Sequence, residues 1–169
     1  MSGRWHLAQI NVATSRFPVE DPRMEGFMSR LDEINQLAES SPGFVWRLQD
    51  ESGNATGIDV GGDALFLANM SVWENAEALF EYVYKSVHRD VMIQRRDWFE
   101  RPDDLYQVLW WIPAGHIPTP AEGLERIERL KKDGPTADAF TFQERFPVPG
   151  APPGEEDELN PSDYCSGWE

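Results

Sequence analysis

The sequence predicts an α+β fold, a ferredoxin-like βαββαβ sandwich followed by a C-terminal helix and tail. Three observations carry that prediction. Strand-like and helix-like stretches alternate so that a β-α-β unit occurs twice, over residues 5–49 and 64–112. Two such units joined by a loop build a four-stranded antiparallel sheet with both crossover helices on one face. The helices carry recognisable start and stop residues, and the strands place large apolar side chains on both of their faces.

Taken in order, WHLAQINVA (5–13) is the first strand. The helix after it has both ends marked: Asp21 is placed to cap, Pro22 brings its fixed φ to the first helical position, and Pro42-Gly43 stops it. Between them Met24, Phe27, Met28, Leu31, Ile34 and Leu37 share one helical face. FVWRLQ (44–49) is a short second strand, DESGNATGIDVGGD a turn-rich loop, and ALFLANMSVW (64–73) the third strand. Residues 75 to about 100 are predicted as helix, with Phe80, Val83, Tyr84, Val87 and Val91 as its inward stripe. LYQVLWWI (105–112) is the fourth strand. A third helix follows, capped by Thr119, opened by Pro120, with Glu122 completing a capping box, and ended by Gly134-Pro135. AFTFQERF (139–146) adds a last strand or edge segment. From Pro147 onward the chain holds six acidic residues and no basic one. The organisation is therefore a domain over 1–146 and an acidic Pro/Gly-rich tail over 147–169.

Strand parity raises the question of what covers the sheet. Ala64, Phe66, Ala68, Met70 and Val72 form one apolar face, as do Tyr106, Val108, Trp110 and Ile112, and Phe44, Trp46 and Leu48. The opposite faces are mixed: Leu65, Leu67, Asn69, Ser71 and Trp73; Leu105, Gln107, Leu109 and Trp111; Leu7, Gln9 and Asn11. A sheet wet on one side should alternate to charged residues, and these strands carry few. One face is then expected under the helices and the other against a partner subunit. The simplest such contact is a two-fold homodimer packed sheet to sheet, unless the C-terminal segment covers that face.

Composition narrows the function classes. The 169 residues are 40% hydrophobic and 27% charged, ordinary for a soluble domain, but the aromatic share of 12% includes seven tryptophans. Such a complement serves a core or the walls of a pocket for an aromatic ligand. A net charge of −15 argues against nucleic acid and against anionic membranes as partners. The sequence shows no transmembrane-length apolar run and no signal-peptide pattern at its N-terminus, and Cys165 is its only cysteine, so a cytoplasmic location is the simplest reading. No phosphate-cradling glycine loop and no nucleophile elbow is present. His6, His88 and His116 supply no helical ligand pair, so no metal site is expected.

Chemistry is expected on the mixed face. Gln9, Asn11, Asn69, Ser71 and Gln107 are neutral hydrogen-bonding groups among large apolar ones. Buried amides must find partners, either one another and loop backbone or a ligand and water. His88, one turn after Tyr84, borders the inward stripe of the second helix. It is either structural or a base or donor over a pocket. Arg95, Arg96 and Arg101 have Asp97, Glu100, Asp103 and Asp104 beside them for surface pairing.

SPGFVWRL followed by NMSVWENAEALFEYVYKSVHRDVM (within 41–92) resembles the layout of the dimeric α+β-barrel superfamily, in its cofactor-independent antibiotic-biosynthesis monooxygenases. HLAQINVA, DWFERP and LWWIPAGHIPTPAEGLERIERLKKDGPTADAFTF resemble more closely a bacterial family of unknown function in that superfamily, over residues 5–143. The resemblance implies a dimeric α+β barrel and a cavity between sheet and helices that takes a hydrophobic, aromatic small molecule without a cofactor. It implies roles for Asn69 as oxyanion donor and Trp73 as stacking surface, which have the spacing of that group's strand pair. With His88 these are the candidate catalytic residues, and Gln9, Asn11, Tyr84 and Trp111 the candidate substrate-binding residues. The third helix and the tail lie outside the monooxygenase pattern. The superfamily also hosts haem proteins, isomerases and ring-closing enzymes, so a haem enzyme with His88 or His116 as axial ligand, and a non-catalytic binding protein, stand as alternatives.

Overall fold

A computed structural model describes residues 4–49, 65–85, 93–102 and 105–150. Along the chain run β1 (Trp5–Thr14), α1 (Glu25–Ser40), β2 (Phe44–Arg47), β3 (Phe66–Trp73), α2 (Ala76–Lys85), β4 (Gln107–Pro113) and α3 (Pro120–Asp133). The strands form one antiparallel sheet in the order β2-β3-β1-β4, the ferredoxin-like arrangement. β1 is central, with Leu7 opposite Trp73 and Trp111, Gln9 opposite Ser71 and Leu109, and Asn11 opposite Asn69 and Gln107.

The predicted boundaries act as chemistry requires, with adjustments. Asp21 Oδ1 accepts from Arg23 N at 2.9 Å, but the first turn, Pro22–Met24, is 3₁₀ and the α-helix begins at Glu25. Hydrogen bonds from the Arg23 side chain and backbone hold the Asp21 carboxyl down at about 2. At the other end Gly43 adopts φ 82°, and a Cβ there would lie 2.5 Å from Ala78 Cβ, so the Pro-Gly stop also seats α2. Thr119 Oγ1 accepts from Glu122 N at 3.2 Å, and Gly134 closes α3 at φ 73°. The Glu122 carboxylate itself reaches His116 Nε2 at 2.9 Å, in place of the reciprocal half of a capping box.

Two sequence expectations are corrected. The second helix does not run unbroken to residue 100: Arg95–Asp97 is a 3₁₀ turn, and Phe99 pairs with Ser15 in an antiparallel bridge. Trp98 and Phe99 pack on Phe27, with ring centroids 5.6 and 4.9 Å away, and Trp98 O accepts from Arg16 N, which draws this segment to the end of β1. Val87 and Val91 of the predicted stripe, Ala64, Asp103, Asp104 and most of the acidic tail lie outside the described residues.

The second correction concerns cover. α1 and α2 pack on the face holding Leu7, Trp73 and Leu109, through Ile34, Ala38, Leu79, Phe80 and Val83. Of the two covers expected for the other face, a partner subunit or the C-terminal segment, it is the chain's own α3 that lies there, with Leu124, Ile127 and Leu130 over Ala8, Ile10, Met70, Val108 and Trp110. Gly123 allows this approach, since a Cβ there would meet Ile10 Cδ1 at 2.6 Å and Ile10 Cβ at 3.1 Å. Beyond α3 the chain returns to the outer edge of β4, where Leu109 and Phe140 exchange backbone hydrogen bonds at 2.8 and 2.9 Å. Ala139 joins the α3 side and Phe140 and Phe142 the α1/α2 side, so the predicted edge segment serves both faces.

Candidate functional site

The α1/α2 face of the sheet is built in rows set by the register. Trp73, Leu7 and Trp111 form one row, Ser71, Gln9 and Leu109 the next, and Asn69, Asn11 and Gln107 the third. A neutral polar strip thus lies between two apolar clusters. One holds Trp73, Tyr84 and Leu109; the other holds Leu67, Met24, Trp98 and Phe99 beneath the start of α1.

The strip's inner members bond to one another. Gln9 Nε2 donates to Asn69 Oδ1 and to Ser71 Oγ, both at 2.8 Å, and Trp73 Nε1 donates to Ser71 Oγ at 2.9 Å. Gln9 and Ser71 are buried, as a satisfied network of this kind permits. Asn69 is the exception: it is exposed on a strand whose later residues are all buried. Gln9 holds its Oδ1, which leaves Nδ2 as a donor without a partner among the described residues.

The other candidates fall into place around this network. Trp73 has no exposed surface; Tyr82 stacks on it at 5.1 Å and Phe44 meets it edge-on at 5.5 Å. Its ring has no face open to a ligand, and it reaches Asn69 only through Ser71 and Gln9. Tyr84 is buried against Phe80 and Phe142, at 4.8 and 5.5 Å. Trp111 is half-buried and donates from Nε1 to Phe146 O at 3.0 Å, tying β4 to the C-terminal segment. Asn11 is half-buried between Asn69 and Gln107. His88 lies outside the described residues.

Several lining residues escaped the sequence reading. Tyr82 Oη donates to Ile34 O at 3.2 Å, and burial pushes its phenol well above the ordinary tyrosine value. A cavity of about 130 Å³ opens at the β4 edge, lined by Leu105, Tyr106, Gln107, Leu109, Thr141, Phe142 and Gln143. Its signal was the alternation in AFTF, which puts Phe140 and Phe142 on one side of an extended segment. Arg95 stands beside it, donating to Tyr106 Oη at 3.0 Å with its guanidinium over that ring. Pairing with neighbouring acids is therefore not Arg95's whole role.

His116 is exposed and held by Glu122, and by parity His6 belongs to the opposite face of β1, so neither joins the strip. Among the described residues no group of three ligating side chains is placed to hold a metal ion, and no helix is long and apolar enough to cross a membrane.

Comparison with known proteins gives fold-level likenesses. The Pseudomonas aeruginosa protein PA3566 is similar at 12% identity and a TM-score of 0.43, over 69% of this chain and 98% of that one. A Nitrosomonas europaea protein provisionally named an antibiotic biosynthesis monooxygenase is similar at 11% identity and a TM-score of 0.44, over 70% and 98%. A second Nitrosomonas europaea protein, NE2512, of unknown function, is similar at 10% identity and 0.42, over 70% and 99%. At these values the fold assignment rests on strand order and register, not on the likenesses. No curated protein matches the chain. A family model does match, over residues 6–156, and on that span the chain belongs to the DUF3291 family, a domain of unknown function.

Proposed function

We propose that the chain takes up a hydrophobic, aromatic small molecule on the amide strip of its α1/α2 face and acts on it there as an enzyme. The observation that carries this reading is the state of Asn69. It is the exposed member of a bonded network, its amide oxygen is held by Gln9, and the rows of the sheet beside it carry the aromatic-rich clusters of Trp73 and of Trp98. A fixed donor in apolar surroundings suits a substrate oxygen that gains negative charge, as in activation of a phenol or enol toward oxygen. Cofactor-independent oxygenase chemistry is the finer form of the proposal, and Gln9, Ser71 and Trp73 serve in it as positioning residues.

A second reading, binding without turnover, is favoured by the chemistry of the strip. Gln9, Asn11, Asn69, Ser71 and Gln107 include no group that titrates near neutral pH. An acid or base would have to come from elsewhere, His88 being the sequence candidate.

Native mass spectrometry of freshly purified wild type and Asn69→Ala, followed by incubation of any retained ligand in air, tests both. The proposal expects a small aromatic mass increment that Asn69→Ala loses, and oxygen-containing product with wild type. Retention of unchanged ligand supports binding alone. No increment, together with no thermal shift across a panel of phenols and quinones, overturns the proposal.

A further inference from the structure

We infer that the ligand of this site is elongated, lying across the Asn69–Asn11–Gln107 row with an aromatic ring in the β4-edge cavity and an oxygen acceptor at Asn69. This rests on the proposed function, and adds to it a second anchoring point and a length.

The register fixes the geometry. Asn11 is opposite Asn69 on one side and Gln107 on the other, so the outer two lie two strand spacings apart, about 10 Å. All three belong to the same face. At the Gln107 end the cavity has an apolar floor of Leu109 and Phe142, both buried, with Phe80 and Tyr84 packed edge-on behind Phe142 at 5.9 and 5.5 Å. Its volume of about 130 Å³ is close to the roughly 150 Å³ of an engineered apolar cavity that accepts benzene. A single aromatic ring is of a size to enter it. Gln107 stands at the rim, half-buried, its side chain without a hydrogen-bond partner among the described residues. At the other end Asn69 Nδ2 is a donor, which selects an acceptor oxygen on the ligand. A ring at the Gln107 strand and an oxygen at the Asn69 strand, with side chains reaching inward across that span, describe a biaryl or aryl-linked phenol or ketone.

The test uses 4-phenylphenol, biphenyl and phenol, titrated by calorimetry into wild type, Asn69→Ala and Leu105→Phe. Leu105 is on the cavity wall and 39% exposed, so a larger side chain there fills the space without disturbing the core. Equal melting temperatures confirm that each variant is folded. The inference expects 4-phenylphenol to bind wild type at least about tenfold more tightly than phenol. Leu105→Phe should erase that advantage, and Asn69→Ala should erase the preference for 4-phenylphenol over biphenyl. If Asn69→Ala weakens both phenols while Leu105→Phe changes nothing, the elongated placement fails and the proposed function stands. If 4-phenylphenol binds no better than phenol, or neither binds up to about 10 mM, the inference is overturned. The retained-ligand experiment then judges the proposed function separately.

Discussion

Gly123 of α3 sits against Ile10 of β1 so closely that a methyl group on it would lie 2.6 Å from Ile10 Cδ1. Gly123→Ala should therefore destabilise the domain by about 1–3 kcal/mol, although alanine favours a helix over glycine by roughly 1 kcal/mol. Adding Ile10→Val, which removes the nearest carbon, should recover part of the loss. Denaturant melts of the two single variants and the double variant check this; additive effects would mean the two residues do not meet.

Cover by α3 bears on assembly. Ala8, Ile10, Val108 and Trp110 are already without exposed surface in one chain, so a sheet-to-sheet homodimer has no apolar face left to bury there. Sedimentation of the full chain at micromolar concentration should give a monomer. A chain ended before Thr119 should self-associate or precipitate through the bared face. A stable dimer of the full chain that persists when Leu124 and Ile127 are changed to Glu would contradict this packing.

Asn69 and Gln9 should separate binding from folding. Asn69→Ala removes an exposed donor and should leave the melting temperature within a few degrees, while ligand retention is lost. Gln9→Leu removes a buried hub and should cost about 1–3 kcal/mol, since Asn69 Oδ1 and Ser71 Oγ both lose its hydrogen bonds and Ser71 keeps only the one from Trp73 Nε1. Equal effects of the two on stability would show that Asn69 is part of the core.

Tyr82 gives a pH signature. Burial raises its phenol well above the ordinary tyrosine value of about 10. A raised folded value favours the neutral form, so this contribution to stability is complete below pH 10 and is lost as pH rises above it. Phenolate absorbance should show a lagging component above the ordinary tyrosine range, its ionisation appearing together with unfolding. Tyr82→Phe should abolish the lagging component.

The four-stranded antiparallel sheet, the capping residues and the polar strip were legible in the sequence because each depends on near neighbours or on parity, although the first turn after Asp21 is 3₁₀. Asp21, Thr119 and the Pro-Gly stop act over a few residues, and alternation places Gln9, Asn69 and Ser71 on one face. What was not legible depended on distant packing. The occupant of the second face turned on a glycine meeting Ile10, and a lone glycine in a helix normally signals weakness. Trp73 looked like a ligand surface because its spacing from Asn69 was right, yet Tyr82, nine residues on, takes its face. The cavity needed Thr141 and Phe142 brought back to β4 from beyond a whole helix.

The backbone pair between Leu109 and Phe140 has one more consequence. β4 ends the sheet, and a bare terminal strand offers its peptide groups to any passing chain. By folding residues 139–142 back against Leu109, the protein blocks the middle of that rim from within, and Thr141 and Phe142 wall the cavity. Release of this clasp would at once open a template for strand addition and empty the ring pocket, so loss of ligand and onset of aggregation should share a single threshold.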